Sequence, residues 1–463
     1  MHWLNNICCL TDSYKVSHWK QSPPGTKTVY AYFESREGAY FPETVFFGLQ
    51  YFIDQYLAGP VVTAEKIAEA EELFAMHFGD RSLFNRAGWE HILKQHDGLL
   101  PVVIKAVPEG TAVSEGNVLM TVYNTDPAAY WLTNYLETLL TQVWYPSTVA
   151  TQSRAMRDTI LFHLRATGDP LTIDYKLHDF GFRGVTCPEQ AALGGAAHLV
   201  NFSGTDNIPA LMLASKFYGD SCAGHSIPAA EHSTITSWGR ENEVEACRNM
   251  LEQYPKGLVA VVSDSFDIYK CCAEIWGDKL RGQVLARDGV LVIRPDSGYP
   301  PEVVVKVISI LGDKFGTTVN KKGFRVINPK IRVLQGDGIY LKMLDTILVT
   351  MRGNLWSADN ISFGSGGGLL QKLNRDTQRF AFKCSAVYVN DEWRDVYKQP
   401  STDGSKKSKS GRMKLIRDGD AWQTVPIDDP RGSDELRTVF VNGRRKIFQP
   451  HSEIRYRANA DRG

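Results

Sequence analysis

The 463-residue chain has no excess of either charge: 52 Lys and Arg stand against 52 Asp and Glu. A nucleic-acid coat or a membrane-surface protein would carry a global basic excess, so no nucleic-acid or membrane partner is expected. A local basic pocket for a phosphorylated small molecule stays open. No apolar run approaches the ~18–20 residues of a membrane span. Met1 to Asn6 lacks the basic and long apolar stretches of a secretory signal. None of the eight cysteines sits in a CxxC, and two pairs, Cys8-Cys9 and Cys271-Cys272, are vicinal. That pattern suits neither a zinc ribbon nor a disulfide framework, and points to reduced thiols in a cytoplasmic compartment.

What is present is a core-forming composition, 43% hydrophobic and 22% charged. Three stretches differ in texture. Residues 1–145 mix short strands and helices. Thr63 to Phe78 reads as a helix capped by Thr63 and stopped by Gly79, with Ile67, Ala70, Phe74 and Phe78 on one face. Val102 to Val122 reads as strands broken by turns at Pro108-Glu109-Gly110 and Ser114-Glu115-Gly116. Over residues 146–380, apolar β-branched runs end in small polar clusters. Leu258 to Val262 ends in Ser263-Asp264-Ser265, and Val290 to Ile293 in Arg294-Pro295-Asp296-Ser297. Ile331 to Leu334 ends in Gln335-Gly336-Asp337-Gly338, and Ile361 to Phe363 in Gly364 to Gly368. The clusters are roughly 30–40 residues apart, the length of a βα unit. Such strands predict a parallel sheet covered on both faces, and polar clusters at successive strand ends predict one shared site. Residues 381–463 return to strands, with a hairpin turn at Asn442-Gly443 and a basic loop from Gly404 to Arg412.

Glycines let backbone N–H groups approach an anion, so Gly364 to Gly368 is the phosphate candidate, with Lys372, Arg375 and Lys383 following. Asp264, Asp267, Asp296 and Asp337 are caps and turn formers on one reading. On the other they recognise hydroxyls and hold Mg²⁺ beside substrate phosphates. Acids beside cations suit a sugar polyphosphate. In His178 to Gly184, strand alternation would point Phe180 and Phe182 the same way, and a flat ring could stack there. His232 is one of eleven histidines, and its spacing singles it out for no role.

Several long motifs occur in order: Thr11 to Lys15, Lys176 to Gly184, Glu231 to Thr236, Val262 to Tyr269, Ile293 to Gly298, Gln335 to Gly338 and Gly364 to Arg375. On these the chain resembles the nicotinamide phosphoribosyltransferase family of type II phosphoribosyltransferases. The resemblance implies an α/β fold: an incomplete or irregular βα-barrel of mainly parallel strands, with a second β-rich domain formed by N- and C-terminal segments. It implies transfer of phosphoribose from 5-phosphoribosyl-1-pyrophosphate to nicotinamide, in a homodimer with shared active sites. Phe180 and Tyr14 would sandwich the pyridine ring, Tyr14 coming from the other subunit with Asp12. Asp206 would face the carboxamide. Arg183, His232 and Arg294 would surround the pyrophosphate. Asp296 would take ribose hydroxyls, with Ser263, Gly336 and Asp337 in the substrate site. Gly366 and Gly367 would hold the 5′-phosphate with Arg375 and Lys383. Asp267 and Asp296 would sit near Mg²⁺, and ATP would phosphorylate His232, with Glu231 or a neighbouring acid orienting the ring. The chain is shorter than vertebrate members after Arg36, and it has Phe182 where they have Tyr. Two alternatives stand beside this reading: a nicotinate phosphoribosyltransferase, or a non-catalytic signalling protein on the same fold.

Overall fold

The computed structural model describes residues 4–399 and 408–460. Residues 404–407 of the basic loop fall outside that range. The chain divides into two compact units. One comprises Met1–Thr151, Phe217–Gly219 and Leu373–Gly463, the other Gln152–Lys216 and Asp220–Lys372. Composition alone places the boundaries after 145 and 380. The first division falls inside the helix Trp144–Thr167, where no change of composition marks it.

The first unit is built on a seven-stranded sheet that draws on both ends of the chain. Thr26–Ser35 lies inside it, antiparallel to Phe380–Val389 on one side and to Val118–Asn124 on the other. Its residues from Val29 to Ser35 are all buried, and the Phe33 and Phe380 rings stack at 5.1 Å. Arg437–Val441 joins the sheet beside Val102–Ala106. Asn442 and Gly443 both take positive φ, 47° and 75°, the backbone a two-residue hairpin needs. The helix Ala64–Phe78 forms as its sequence predicts: Thr63 Oγ1 accepts from Lys66 N, and Gly79 closes it in the left-handed region. Ile67, Ala70 and Phe74 are its buried face.

The second unit carries a six-stranded, all-parallel sheet. Its spatial order is Gly204–Thr205, Leu177–Asp179, Ile361–Ser365, Ile331–Gln335, Asp288–Arg294, Lys256–Val262. All four strands expected from apolar runs are present, side by side. The helix Pro300–Phe315 buries Val304, Val307 and Leu311 between two of them. Parallel pairing through helical crossovers puts the strand C-termini at one edge of the sheet, so the polar clusters that follow them emerge together. Among the described residues, no helix is long and apolar enough to cross a membrane.

Candidate active site

A cavity of about 910 Å³ opens at those strand ends in the second unit. Its lining includes Phe180, Arg183, Asp206, His232, Arg294 and Asp296, together with Gly336, Asp337, Gly366 and Gly367. Ten of the residues expected to share a site line this one cavity.

Phe180 follows directly on the strand Leu177–Asp179, and its N–H donates to Ser365 O at 3.0 Å. Its ring packs on Ala260, Val292 and Leu334. It also lies against the Gly364 Cα, where an added Cβ would come within 2.0 Å of the ring. One glycine of the run is thus required by an aromatic ring. The expected strand alternation stops at Asp179, because Phe182–Gly184 is a 3-10 turn. That turn exposes Phe182 and Arg183, which both line the cavity. The Arg294 guanidinium sits 5.7 Å from the Phe180 ring centre and donates to Asp296 Oδ1 at 2.8 Å through Nη2. Cation–π and charge-assisted contacts together fix an otherwise flexible side chain. Gly336 leaves room for it, since a Cβ there would stand 3.2 Å from Arg294 Nε.

Asp206 follows the strand Gly204–Thr205 and accepts a hydrogen bond from Ser226 Oγ. Asp179, not singled out in the sequence, also lines the cavity and is fully buried. Its carboxylate accepts from Gly181 N at 2.7 Å and Asn207 Nδ2 at 2.8 Å. Burial pushes its pKa up to about 6, and the neighbouring Asp206 charge adds to the rise. A single Asp at the end of a three-residue strand has no sequence signature that distinguishes it from a turn former.

His232 opens the short helix His232–Thr236, and its Nε2 lies 2.9 Å from Asp264 Oδ1. The ring is about half exposed, while Asp264 is 6% exposed. Glu231, expected as a candidate to orient this ring, instead accepts from Ser233 Oγ. The acid that meets the ring is Asp264.

Six expected residues lie elsewhere. Ser263 is buried, donating to Val261 O and accepting from Trp276 Nε1, so its hydroxyl is committed to the core. Asp267 caps a helix: Oδ1 accepts from Tyr269 N and Lys270 N, both at 3.0 Å, and the residue lines a separate cavity of about 210 Å³. Asp12, Tyr14, Arg375 and Lys383 belong to the first unit. There Arg375 and Lys383 line a cavity of about 570 Å³ with Arg36 and Arg379. Burial lowers the Lys383 pKa. Tyr14 is 57% exposed, and Asp12 Oδ2 accepts from Thr138 Oγ1 at 2.8 Å.

The nicotinate phosphoribosyltransferase family profile matches residues 175–444. That of the N-terminal domain of nicotinamide phosphoribosyltransferase matches residues 6–104. A nicotinamide phosphoribosyltransferase of Xanthomonas campestris is 49% identical over 473 residues, covering all of both chains. One of Acinetobacter baylyi is 33% identical, covering 96% of this chain and 95% of its own. Among solved structures, the nicotinate-nucleotide pyrophosphorylase of Pyrococcus furiosus aligns with a TM-score of 0.62 at 16% identity. It covers 100% of this chain and 97% of its own. Human nicotinic acid phosphoribosyltransferase aligns with a TM-score of 0.58 at 16% identity, over 97% and 93%. These two share the fold.

Proposed function

The chain belongs to the nicotinate phosphoribosyltransferase family, and from that membership we propose that it transfers phosphoribose from 5-phosphoribosyl-1-pyrophosphate to nicotinamide, yielding nicotinamide mononucleotide and pyrophosphate. The observation that carries the choice of base is Asp206 in the same cavity as Phe180. A carboxylate accepts from a carboxamide NH₂ and repels a nicotinate carboxylate. The full-length relatives named nicotinamide phosphoribosyltransferase support the same choice.

The reaction breaks the C1–O bond to pyrophosphate and forms a C1–N bond to the pyridine nitrogen. Arg183 and Arg294 face the negative charge that develops on the leaving group. Asp296 and Asp337 take ribose hydroxyls, steadying a sugar carbon with oxocarbenium character. The pyridine nitrogen is a neutral nucleophile and needs position rather than a base, which stacking on Phe180 supplies. Gly366 and Gly367, on the wall of this cavity, approach the 5′-phosphate. The carboxylates of Asp296 and Asp337 at the cavity wall are hard oxygen donors, a set that fits Mg²⁺ shared with substrate phosphates. When bound, that ion would neutralise the leaving pyrophosphate. Asp267, with its cap bonds, is the weaker ligand candidate.

ATP enters through His232. A ring that donates Nε2–H to Asp264 carries its lone pair on Nδ1. That nitrogen attacks the γ-phosphorus, the bond to the bridging oxygen breaks, and ADP leaves. Water later hydrolyses the phosphohistidine. The working form is a cytoplasmic homodimer in which Tyr14 and Asp12 complete the partner's site.

The test incubates the protein with 5-phosphoribosyl-1-pyrophosphate and Mg²⁺, with nicotinamide or nicotinate, and separates the products. Mononucleotide and pyrophosphate from nicotinamide are expected. Product from nicotinate alone would favour the acid-specific alternative, and no product from either would favour the non-catalytic one.

A further inference from the structure

Away from the catalytic cavity, three metal-ligating side chains of the first unit converge. His91, His96 and Asp126 each offer one donor atom, and these atoms lie within 4.8 Å of one another. We propose that they form a site for one Zn²⁺ or a similar borderline transition ion, which ties the helix Arg86–Gln95 to the turn at Pro127–Ala129.

The elements fix the three side chains. The helix is capped by Asn85, whose Oδ1 accepts from Gly88 N at 3.0 Å, and is anchored by fully buried Trp89 and Ile92. His91 stands on it, and His96 is its C-cap, where φ −124° takes the chain out of the helix. Asp97 and Gly98, both with positive φ, then turn the chain away. Asp126 is held from two sides. Its Oδ1 accepts from Ala128 N at 2.8 Å, and its backbone oxygen accepts from Asn124 Nδ2 at 2.7 Å. Oδ2 remains to face both rings, with each Nε2 at 2.6 Å.

Two imidazoles converging on one carboxylate oxygen, itself oriented by a backbone N–H, have the composition and support of a transition-metal site. An ion about 2.1 Å from each donor holds donors roughly 3.4 Å apart, so the carboxylate needs to retreat by less than about 1 Å. The ion replaces the two Nε2–H hydrogen bonds, and each neutral ring then carries its proton on Nδ1. Imidazole nitrogen selects Zn²⁺ over Mg²⁺, which prefers oxygen. The three side chains are 34%, 26% and 19% exposed, so an ion can enter and water can complete its shell. None of them lines the cavity of the second unit, which gives the ion a structural role.

The test uses the full chain, purified without an affinity tag and stripped by chelation. Zn²⁺ titration should give one ion per chain. His91→Gln/His96→Gln should weaken binding by at least about 100-fold, and Asp126→Asn by about 10-fold or more. Zn²⁺ should raise the thermal midpoint of the wild type and not of the double variant. Co²⁺ should give visible ligand-field bands without a thiolate charge-transfer band. Should the double variant not fold, single His91→Asn and the wild-type Zn²⁺ response carry the test. Absence of binding, unchanged binding in the variants, or a thiolate band that places the ion on an exposed cysteine such as Cys187 or Cys222 would overturn the proposal.

Discussion

His232 and Asp264 are 32 residues apart in the chain, yet their side chains meet at 2.9 Å, the ring exposed and the acid nearly buried. With Nε2–H donated to that carboxylate, the ring's lone pair would lie on Nδ1, the nitrogen that the proposed phosphorylation requires.

From that pair follows the first prediction. Acid-labile ³²P should appear on the protein after incubation with γ-labelled ATP and should be absent in His232→Ala. Asp264→Asn should keep the fold and lower the rate of labelling by about 10–100-fold, since a lost orienting acid costs on that order. Label persisting in His232→Ala would move the acceptor elsewhere.

Gly364 is the second. Its missing Cβ leaves space for the Phe180 ring. Gly364→Ala must push that ring aside, and overpacking of this kind costs about 1–3 kcal/mol. We expect KM for the pyridine substrate to rise by about 10-fold or more, with a lower thermal midpoint. Unchanged KM would separate the Phe180 ring from base binding.

The third concerns pH. Asp179 has its pKa pushed from the ordinary 3.8 up to about 6 by burial. The folded protein therefore holds this proton more tightly than the unfolded chain does. Its contribution to stability is present below about pH 4 and is lost as pH rises through about 6, a change of about 2–3 kcal/mol. Asp179→Asn should remove that loss. Asn207 can turn its amide to present Oδ1, which has no hydrogen-bond partner in the wild type. Unfolding free energies between pH 4 and 7 should diverge in favour of the variant as pH rises. Parallel curves would contradict an ionisable, buried Asp179.

The fourth is subunit complementation. Tyr14 is exposed in the single chain, with His18 and Lys15 against its ring. Mixing inactive Tyr14→Ala and Asp296→Ala chains should regenerate hybrid sites with both residues intact. No activity after verified subunit exchange would count against a shared site.

The parts of the site legible in the sequence are those that local pattern encodes. Buried parallel strands read as unbroken apolar runs, so the ends at Asp264, Asp296, Asp337 and Gly364 could be located, and topology then brought four of them to one edge. Asp267 shows the limit of that pattern. An Asp after a strand is as often a cap, and its Oδ1 indeed takes two backbone N–H groups. Ser263 sits in the right cluster but points into the core against Trp276. The His232–Asp264 pair joins the start of a short helix to a strand-end loop with no shared spacing, and Asp179 is marked only by its burial. Neither property is written in neighbouring residues.

In the proposed reaction Asp206 selects an amide. The measurement that meets it most directly is the ratio of kcat/KM for nicotinamide to that for nicotinate, in the wild type and in Asp206→Asn. A carboxylate that accepts from the amide and repels the acid discriminates between the two bases in both directions. A large ratio is expected in the wild type and should fall steeply in Asp206→Asn, through a gain on nicotinate as well as a loss on nicotinamide. Equal turnover of the two bases by the wild type, or a ratio unmoved by the substitution, would contradict it.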